Sequence, residues 1–233
     1  MSLRIIILFL LISLSCSKKN EDSLDKIKIL VDNGNYEIAK NKLLVITQTN
    51  KKSSKAYNLL GVCFFELKEL TDAENNFTNA IKIEQNYKYY YNRGNVRIEL
   101  NELDNALKDY NKAISLNDKK GDIYNNRGNL FYRTKKYNMA IKDFIKFSEL
   151  QPNNEKAYLY IAKSQFLVDD FQKAIINLKK AVEINSKYSE AFFWLGLANH
   201  QVNLKEEGCL ILKKAENLGH PYAKDAIKVN CDA

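Results

Sequence analysis

Apolar positions recur with helical spacing along most of the chain. In one clear stretch, small or apolar side chains fall at Ala106, Leu107, Tyr110, Ala113 and Ile114, with polar residues between them. Apolar residues spaced i, i+3, i+4 and i+7 line one face of an α-helix. The 233 residues include only 8 Gly and 2 Pro, too few for the many turns of a sheet-rich fold. The pattern therefore predicts helices joined by short polar loops.

The helical pattern repeats about every 34 residues, as the spacing of two near-identical stretches shows. YYNRGN at 90–95 returns as YNNRGN at 124–129, and units in the same register begin near residues 20, 54, 87, 121, 155 and 189. Most units have small residues at their eighth and twentieth positions, where two helices can approach closely, and large residues at the fourth and twenty-fourth, which can fill the space around that contact. The small residues are Gly61, Gly94, Gly128 and Gly196 in the first set and Ala73, Ala106, Ala140 and Ala174 in the second.

This register resembles the tetratricopeptide repeat (TPR) family, over about residues 20–217. The resemblance implies an all-α fold, a right-handed superhelical solenoid of about six TPR helix-turn-helix units with a C-terminal capping helix. The implied array covers 24–219 and the capping helix 220–233, and the units lie near 20–53, 54–86, 87–120, 121–154, 155–188 and 189–219. The stretch LKKAENLGHPYA near the end also resembles the related Sel1-like repeat.

The segment MSLRIIILFLLISLSC at the start of the chain stands apart from the repeats. Its apolar run from Ile5 to Ile12 is much shorter than a membrane-spanning helix requires. That length is typical of the core of a signal peptide, so we expect residues 1–15 to be a signal peptide.

Cys16 follows a small residue, Ser15, at the end of this core, and the arrangement resembles the lipobox of bacterial lipoproteins. The resemblance implies that Cys16 becomes the mature N-terminus and carries a diacylglycerol, with a polar tether over 16–23. Ser17, where retained lipoproteins commonly have Asp, favours the outer over the inner membrane of a bacterial cell envelope. An ordinary signal peptide with an incidental Cys is the alternative.

Two cysteines lie close to the C-terminal end of the chain. Cys209 falls near the start of the last repeat's second helix and Cys231 at the end of the capping helix, so the two meet if these helices are antiparallel. Because exported proteins meet an oxidising compartment in many bacteria, we expect a Cys209–Cys231 disulfide. Zinc binding with His200 or His220 is the alternative, but the spacing matches no compact ligand pattern, and we assign no metal and no cofactor.

Charge and motif content narrow the functional classes. The net charge is +8, but the Lys residues are scattered among Glu and Asp, with no basic block longer than Lys-Lys or the Lys-Lys-Ser-Ser-Lys stretch at 51–55, a distribution that disfavours nucleic acid as the partner. The chain has two His and lacks G-x-S-x-G, H-E-x-x-H and a Walker glycine loop. We therefore predict no catalytic residues, no enzyme activity and no small-molecule substrate.

In TPR arrays the first helices line a concave groove, and by resemblance positions 2, 5, 9, 12 and 13 of each unit face it. Asn amides can pair with an extended peptide backbone, and aromatic rings supply contact area. The resemblance implies a scaffold, a membrane-anchored TPR lipoprotein that binds an extended peptide or helix of protein partners. Two alternatives stay open: a protein that binds an anionic polymer or nucleic acid through a basic surface, and a structural homo-oligomeric spacer. The groove residues are Asn58, Phe65, Tyr91, Asn95, Asn125, Asn129, Tyr132, Arg133, Lys156, Lys163, Phe166 and Phe193.

The Arg of the repeated stretch changes together with a second position. The third and fourth units have Arg93 and Arg127 at position 7 and Asp109 and Asp143 at position 23, whereas the second, fifth and sixth units have an apolar residue at position 7 and no Asp at position 23. We expect structural ion pairs, either within a unit or between Arg127 and Asp109 across units. A recent duplication of one unit would give the same coincidence without contact.

Overall fold

The computed structural model describes residues 24–231, where every regular element is an α-helix. The expected signal peptide, the lipidated Cys16 and the tether lie outside the described residues, as do 232–233 of the capping segment. The helices are α1 (24–32), α2 (Tyr36–Thr49), α3 (Ser54–Glu66), α4 (Leu70–Ile83), α5 (Tyr87–Glu99), α6 (Leu103–Leu116), α7 (Gly121–Arg133), α8 (Tyr137–Leu150), α9 (Glu155–Phe166), α10 (Phe171–Ile184), α11 (Ser189–Gln201), α12 (Lys205–Asn217) and α13 (Ala223–Asn230).

The helices divide into two compact units, one ending at Leu116 and the other beginning at Asn117. In the first unit α1 to α6 form three consecutive helix hairpins, and α2 and α4 also pack against the first helix of the next hairpin. In the second unit α7 to α12 form three more hairpins with the same connections, and α13 packs on α12. Each helix pair therefore buries its apolar face on its neighbours within the unit.

The large residue at the twenty-fourth position of each repeat fills the centre of its hairpin. These six side chains are at most 1% exposed, and burying each one stabilises the fold by roughly 1.5–3 kcal/mol. The small residues one turn earlier on the same helices, including Ala73, Ala106, Ala140 and Ala174, are fully buried. The six large residues are Leu43, Phe77, Tyr110, Phe144, Leu178 and Leu212.

One backbone turn joins the two helices of every hairpin. In the second hairpin the Lys68 N–H donates to the Phe65 carbonyl at 3.0 Å and the Glu69 N–H to the Phe64 carbonyl at 2.8 Å, the Schellman arrangement that ends a helix. The arrangement needs a left-handed residue at position 15. That residue has φ between 58° and 78° in all six turns, at Gly34, Lys68, Asn101, Lys135, Asp169 and Asn203.

The capping helix α13 runs from Ala223 to Asn230, inside the span 220–233 expected from the sequence. Gly219, with φ of 82°, follows the end of α12 in the left-handed conformation that suits glycine after a helix. The Cys209–Cys231 disulfide ties the end of α13 to the start of α12. His200 Nε2 also lies 3.0 Å from the Asn230 carbonyl oxygen. Because Ala223 is the one buried residue of α13, these two links carry much of its attachment.

Candidate functional site

The glycines of the repeated stretch are packing residues. Gly94 and Gly128 lie inside α5 and α7, and a Cβ built on them would come within 2.8 Å of the Tyr110 ring and 2.7 Å of the Phe144 ring, respectively. Gly61 stands in the same relation to Phe77, at 2.7 Å.

The last hairpin varies this contact. A Cβ on Gly196 would lie 2.7 Å from Leu212 Cγ, and a Cβ on Gly208 would lie 2.9 Å from the Gly196 carbonyl oxygen. The two helix backbones of this hairpin therefore approach closely at the place where the other hairpins have an Ala.

The arginines beside these glycines form buried ion pairs within their own repeats. Arg93 donates to both oxygens of Asp109, from Nε at 2.9 Å and Nη2 at 2.7 Å, and Arg127 binds Asp143 in the same way at 2.8 and 2.7 Å. In the third repeat, Arg97 Nη1 also donates a hydrogen bond to Asp109, at 2.8 Å. Such paired N–H bonds to one carboxylate fix geometry as well as charge. These residues therefore lock the two helices of a hairpin together.

Around Arg93 the ion-pair network also joins successive hairpins. Arg93 Nη1 donates to the Thr78 hydroxyl at 3.0 Å, and Arg97 Nε to Glu74 at 2.7 Å, both on α4. Positions 7 and 11 of the third repeat thus face the second helix of the repeat before it.

The candidate groove residues of the first unit carry amides that bind one another. Asn92 Nδ2 donates to Asn58 Oδ1 at 2.9 Å, linking α5 to α3, and the Tyr110 hydroxyl donates to Asn95 Oδ1 at 2.8 Å. Tyr91 lies 6.3 Å from Tyr110, ring centre to ring centre. Asn58, Tyr91 and Asn95, with Phe65, are all part-exposed. The hydrogen bonds therefore fix the two amides, and all four side chains keep part of their surface exposed to a partner.

A second amide group lies on α7 in the second unit. Asn125 Nδ2 donates to Asn126 Oδ1 at 3.3 Å, and Asn129 Nδ2 donates to the Asn125 backbone carbonyl at 2.9 Å. One helical turn further on lie the part-exposed Tyr132 and the exposed Arg133. Burial raises the pKa of the Tyr132 hydroxyl, so this side chain is neutral at physiological pH.

An aromatic cluster follows the amides on the next two first helices. Phe166 on α9 lies 5.0 Å from Phe171 and 5.2 Å from Trp194, and Phe193 stacks on His220 at 4.1 Å. We call Phe166, Phe193, Trp194 and His220 the aromatic cluster. All four are part-exposed, although His220 Nδ1 is buried and lacks a hydrogen-bond partner among the described residues. Burial lowers the pKa of His220, so its ring is neutral near pH 7.

Lys163 lies between Tyr132 and the aromatic cluster. Its Nζ lies 6.0 Å from the centre of the Tyr132 ring and 5.5 Å from that of Trp194, and it binds Glu190 at 2.8 Å. Its charge is therefore largely compensated. Lys156 is exposed at the start of α9.

Two positions show where the family register does and does not describe this surface. Leu159, which position 5 would place in the groove, is 0% exposed and packs in the core with Ala162 and Leu195. Trp194 lies one residue past a groove position and is accessible, although the register does not select it. As the single Trp in the chain, it could have been singled out from composition.

Cys63 is a buried free thiol, and desolvation raises its pKa to about 11, so it is unreactive. Among residues 24–231 no group of three or more His, Cys, Asp or Glu side chains is arranged to hold a metal ion. No helix in that range combines the length and apolarity needed to cross a bilayer.

Three family models match the chain. A TPR repeat model matches residues 94–135, and two tetratricopeptide repeat models match 121–154 and 24–87. No curated protein matches the sequence.

Solved structures with the same fold cover most of the chain at low sequence identity. The pilF protein of Pseudomonas aeruginosa is 16% identical with a TM-score of 0.77, covering 91% of this chain and 98% of its own. The C-terminal part of a TPR repeat-containing protein from Cytophaga hutchinsonii is 17% identical with a TM-score of 0.76, covering 88% and 84%. YrrB, described as a TPR protein with an unusual peptide-binding site, is 19% identical with a TM-score of 0.72, covering 80% and 97%. The chain therefore carries tetratricopeptide repeats, and its helix pairs have the fold of an all-α TPR solenoid.

Proposed function

We propose that this chain is a non-enzymatic scaffold that binds an extended peptide or a helix of protein partners, and that a lipid on Cys16 holds it on the bacterial cell envelope. The observation that carries the binding function is a row of part-exposed amide and aromatic side chains on α7, α9 and α11. The row consists of Asn125, Asn129, Tyr132, Phe166 and Phe193. The comparisons indicate no catalytic family.

The row offers both kinds of contact that a peptide needs. The amides of Asn125 and Asn129 are held in place by hydrogen bonds and can still accept or donate to a peptide backbone. Tyr132, Phe166 and Phe193 present rings that lose water on binding, and such rings usually dominate interface energies. YrrB, which shares the fold, is described as having a peptide-binding site, which supports the same class of partner here.

The envelope anchor rests on the sequence of the first 23 residues. The short apolar run, the Ser15–Cys16 pair and the polar stretch after it are the features of a lipoprotein leader and tether. Acyl chains contribute about 0.8 kcal/mol per buried CH₂, so several chains on Cys16 would make release from a membrane very slow. Ser17 supports the outer membrane as the destination.

Site-specific photo-crosslinking on the full chain in membranes tests the binding surface. A photoreactive amino acid at Asn129 should give a crosslink to an envelope protein. The same amino acid at Ile176, whose side chain is 67% exposed on α10 away from the row, should not. Phe166→Ala should remove the Asn129 crosslink without loss of helical circular dichroism. Recovery of this chain alone from position 129 would refute the scaffold.

Two further measurements separate the alternatives. A binding affinity that falls steeply with salt would indicate an anionic polymer rather than a peptide, because phosphate contacts release counterions. The mass of the mature chain decides the anchor: a diacylglycerol on Cys16 supports it, and a mature N-terminus elsewhere refutes it. Cys16→Ala should then move the protein from the membrane to the soluble fraction.

A further inference from the structure

The first hairpin carries an apolar groove that no described helix covers. The groove runs between α1 and α2 and has a volume of about 410 Å³. Val45 within it is 59% exposed. Ile38 is 54% exposed and lies on the same stripe of α2, seven residues before Val45, which is two helical turns. Six residues line the groove: Lys26, Ile27, Leu30, Lys42, Val45 and Ile46.

The groove occupies the face that packs against a preceding hairpin elsewhere in this unit. Lys26 and Lys42 hold the seventh and twenty-third positions of their repeat, which are Arg93 and Asp109 in the third repeat. In the third repeat the position-7 side chain bonds to Thr78 on the hairpin before it. The first hairpin thus presents a helix-packing face on which no helix of residues 24–231 lies.

The charges of this face differ from those of its buried counterpart. Where the third repeat sets Arg against Asp, the groove has a Lys at both positions, and no carboxylate is among its lining residues. A second copy docking here through the same face would bring four lysines together, which is unfavourable. Apolar side chains flanked by lysines suit an interface that is apolar inside and anionic at its surface, as a bilayer with anionic lipids is.

The position of the anchor brings such a surface within reach. Eight residue steps separate Cys16 from the start of the described α1 at residue 24, and a chain of that length spans at most about 29 Å. Lys26 follows two residues later, and Ile29, which is 59% exposed, lies one turn beyond it. A lipid on Cys16 would therefore hold the α1–α2 face close to the membrane at a high effective concentration.

We propose that the exposed α1–α2 face, with Ile38, Lys42 and Val45 on α2 and Lys26 on α1, rests on an anionic lipid surface. This inference depends on the proposed anchor at Cys16. It adds that the protein meets the membrane with one defined face, rather than hanging freely from its tether.

Fluorescence quenching by brominated lipids tests the proposal on the lipidated full chain in vesicles. Val45→Trp places a reporter in the groove, and Ile176→Trp is the matched control at a similarly exposed apolar position. Each variant is compared with the unsubstituted chain, which contributes Trp194 to both. In vesicles of phosphatidylcholine with phosphatidylglycerol, the added Trp at 45 should be quenched and the added Trp at 176 should not.

Charge reversal tests the role of the lysines. Lys26→Glu with Lys42→Glu in the Val45→Trp chain should lower the ratio of membrane-docked to undocked protein by at least about fivefold per lysine, because each change removes a positive charge and adds a negative one, and quenching should fall accordingly. Lys179→Glu with Lys213→Glu, which changes the net charge equally at exposed positions on α10 and α12, should leave the quenching unchanged.

The outcomes separate this inference from the anchor beneath it. A chain that carries the lipid and floats with vesicles, but shows equal quenching at positions 45 and 176, refutes docking and leaves the anchor intact. A Trp at 45 that is shielded in detergent without a bilayer, together with a dimer mass, refutes docking in favour of a second copy of the chain. A chain without lipid on Cys16 refutes the anchor and this inference with it.

Discussion

Replacing the Asp109 carboxylate should destabilise the first unit more than removing either arginine that binds it. Asp109 is 3% exposed and accepts three N–H bonds, two from Arg93 and one from Arg97. In Asp109→Asn the two guanidinium groups remain, and Arg93 loses the carboxylate that compensates its charge while Arg97 keeps Glu74. In Arg93→Leu the carboxylate keeps its bond from Arg97.

The magnitudes follow from these contacts. Breaking a buried ion pair by removing one partner costs about 3–5 kcal/mol, and the exposure of the arginines to solvent places Asp109→Asn near the lower value, about 3 kcal/mol. Arg93→Leu loses hydrogen bonds to a charged group but leaves Asp109 paired, so we expect about 2 kcal/mol. The fifth repeat has Ile161 and Asn177 at these two positions, so an apolar residue with an amide is an arrangement that the fold accepts. The double variant Arg93→Leu with Asp109→Asn should therefore be more stable than the sum of the single changes by about 1–2 kcal/mol.

Urea and thermal unfolding of the full chain, followed by circular dichroism, measure these values as a double-mutant cycle. For a chain of this size, 3 kcal/mol corresponds to a fall in Tm of about 6–12 °C. Lys28→Leu is a control, since the Lys28–Asp32 pair lies on the surface and should contribute less than about 1 kcal/mol. Additive effects would show that the two residues do not act as a pair. If an Arg93→Leu chain folds normally but no longer binds its protein partner, Arg93 belongs to the binding surface rather than to the packing contacts.

Three further results are expected. Gly128→Ala should cost about 1–3 kcal/mol in unfolding experiments, because its Cβ would lie 2.7 Å from the Phe144 ring. Adding Phe144→Leu, which copies the Ala162 and Leu178 of the next repeat, should restore stability. No recovery in the double variant would show that the two helices have moved apart instead. Cys209→Ser should remove about 3 kcal/mol in the chain-entropy model and speed hydrogen exchange in α13 far more than in α11, whereas equal exchange in both helices would contradict the role of the disulfide in holding α13. Because burial lowers the pKa of His220 from its usual value of about 6.5, the neutral ring favours the folded state. Its contribution should be complete above that pH and lost as pH falls through the lowered value, so Tm should drop on acidification in the wild type and less in His220→Gln, and equal profiles would assign the acid sensitivity to other groups.

The sequence predicts much of the fold because the repeat places residues of different units at equivalent positions, where they can be compared. Gly94 and Gly128 each oppose a ring sixteen residues later, and a small residue that recurs opposite a large one indicates close helix packing without any coordinates. The paired change to Arg and Asp at positions 7 and 23 likewise corresponds to contacts within a repeat. The resemblance of the C-terminal stretch to a Sel1-like repeat stays a prediction.

The surface is harder to predict, because the exposure of one position depends on the side chains packed around it in each repeat. Position 5 is part-exposed at Asn125 and Phe193 but fully buried at Leu159, although the register treats the three alike. Trp194 is part-exposed at a position that the register leaves out. The partner of the groove residues stays a prediction, since no property of an isolated chain states what will occupy an accessible row of amides and rings.

The six turns at position 15 offer equivalent sites from which the unfolding of each repeat can be followed. All six have a positive φ, although the residue is Gly once, Lys twice, Asn twice and Asp once. A small spectroscopic label on a Cys introduced at that position, one repeat at a time, would therefore meet the same turn in each repeat. Differences between the six signals would report only how each hairpin comes apart, so cooperativity could be read repeat by repeat along a single chain.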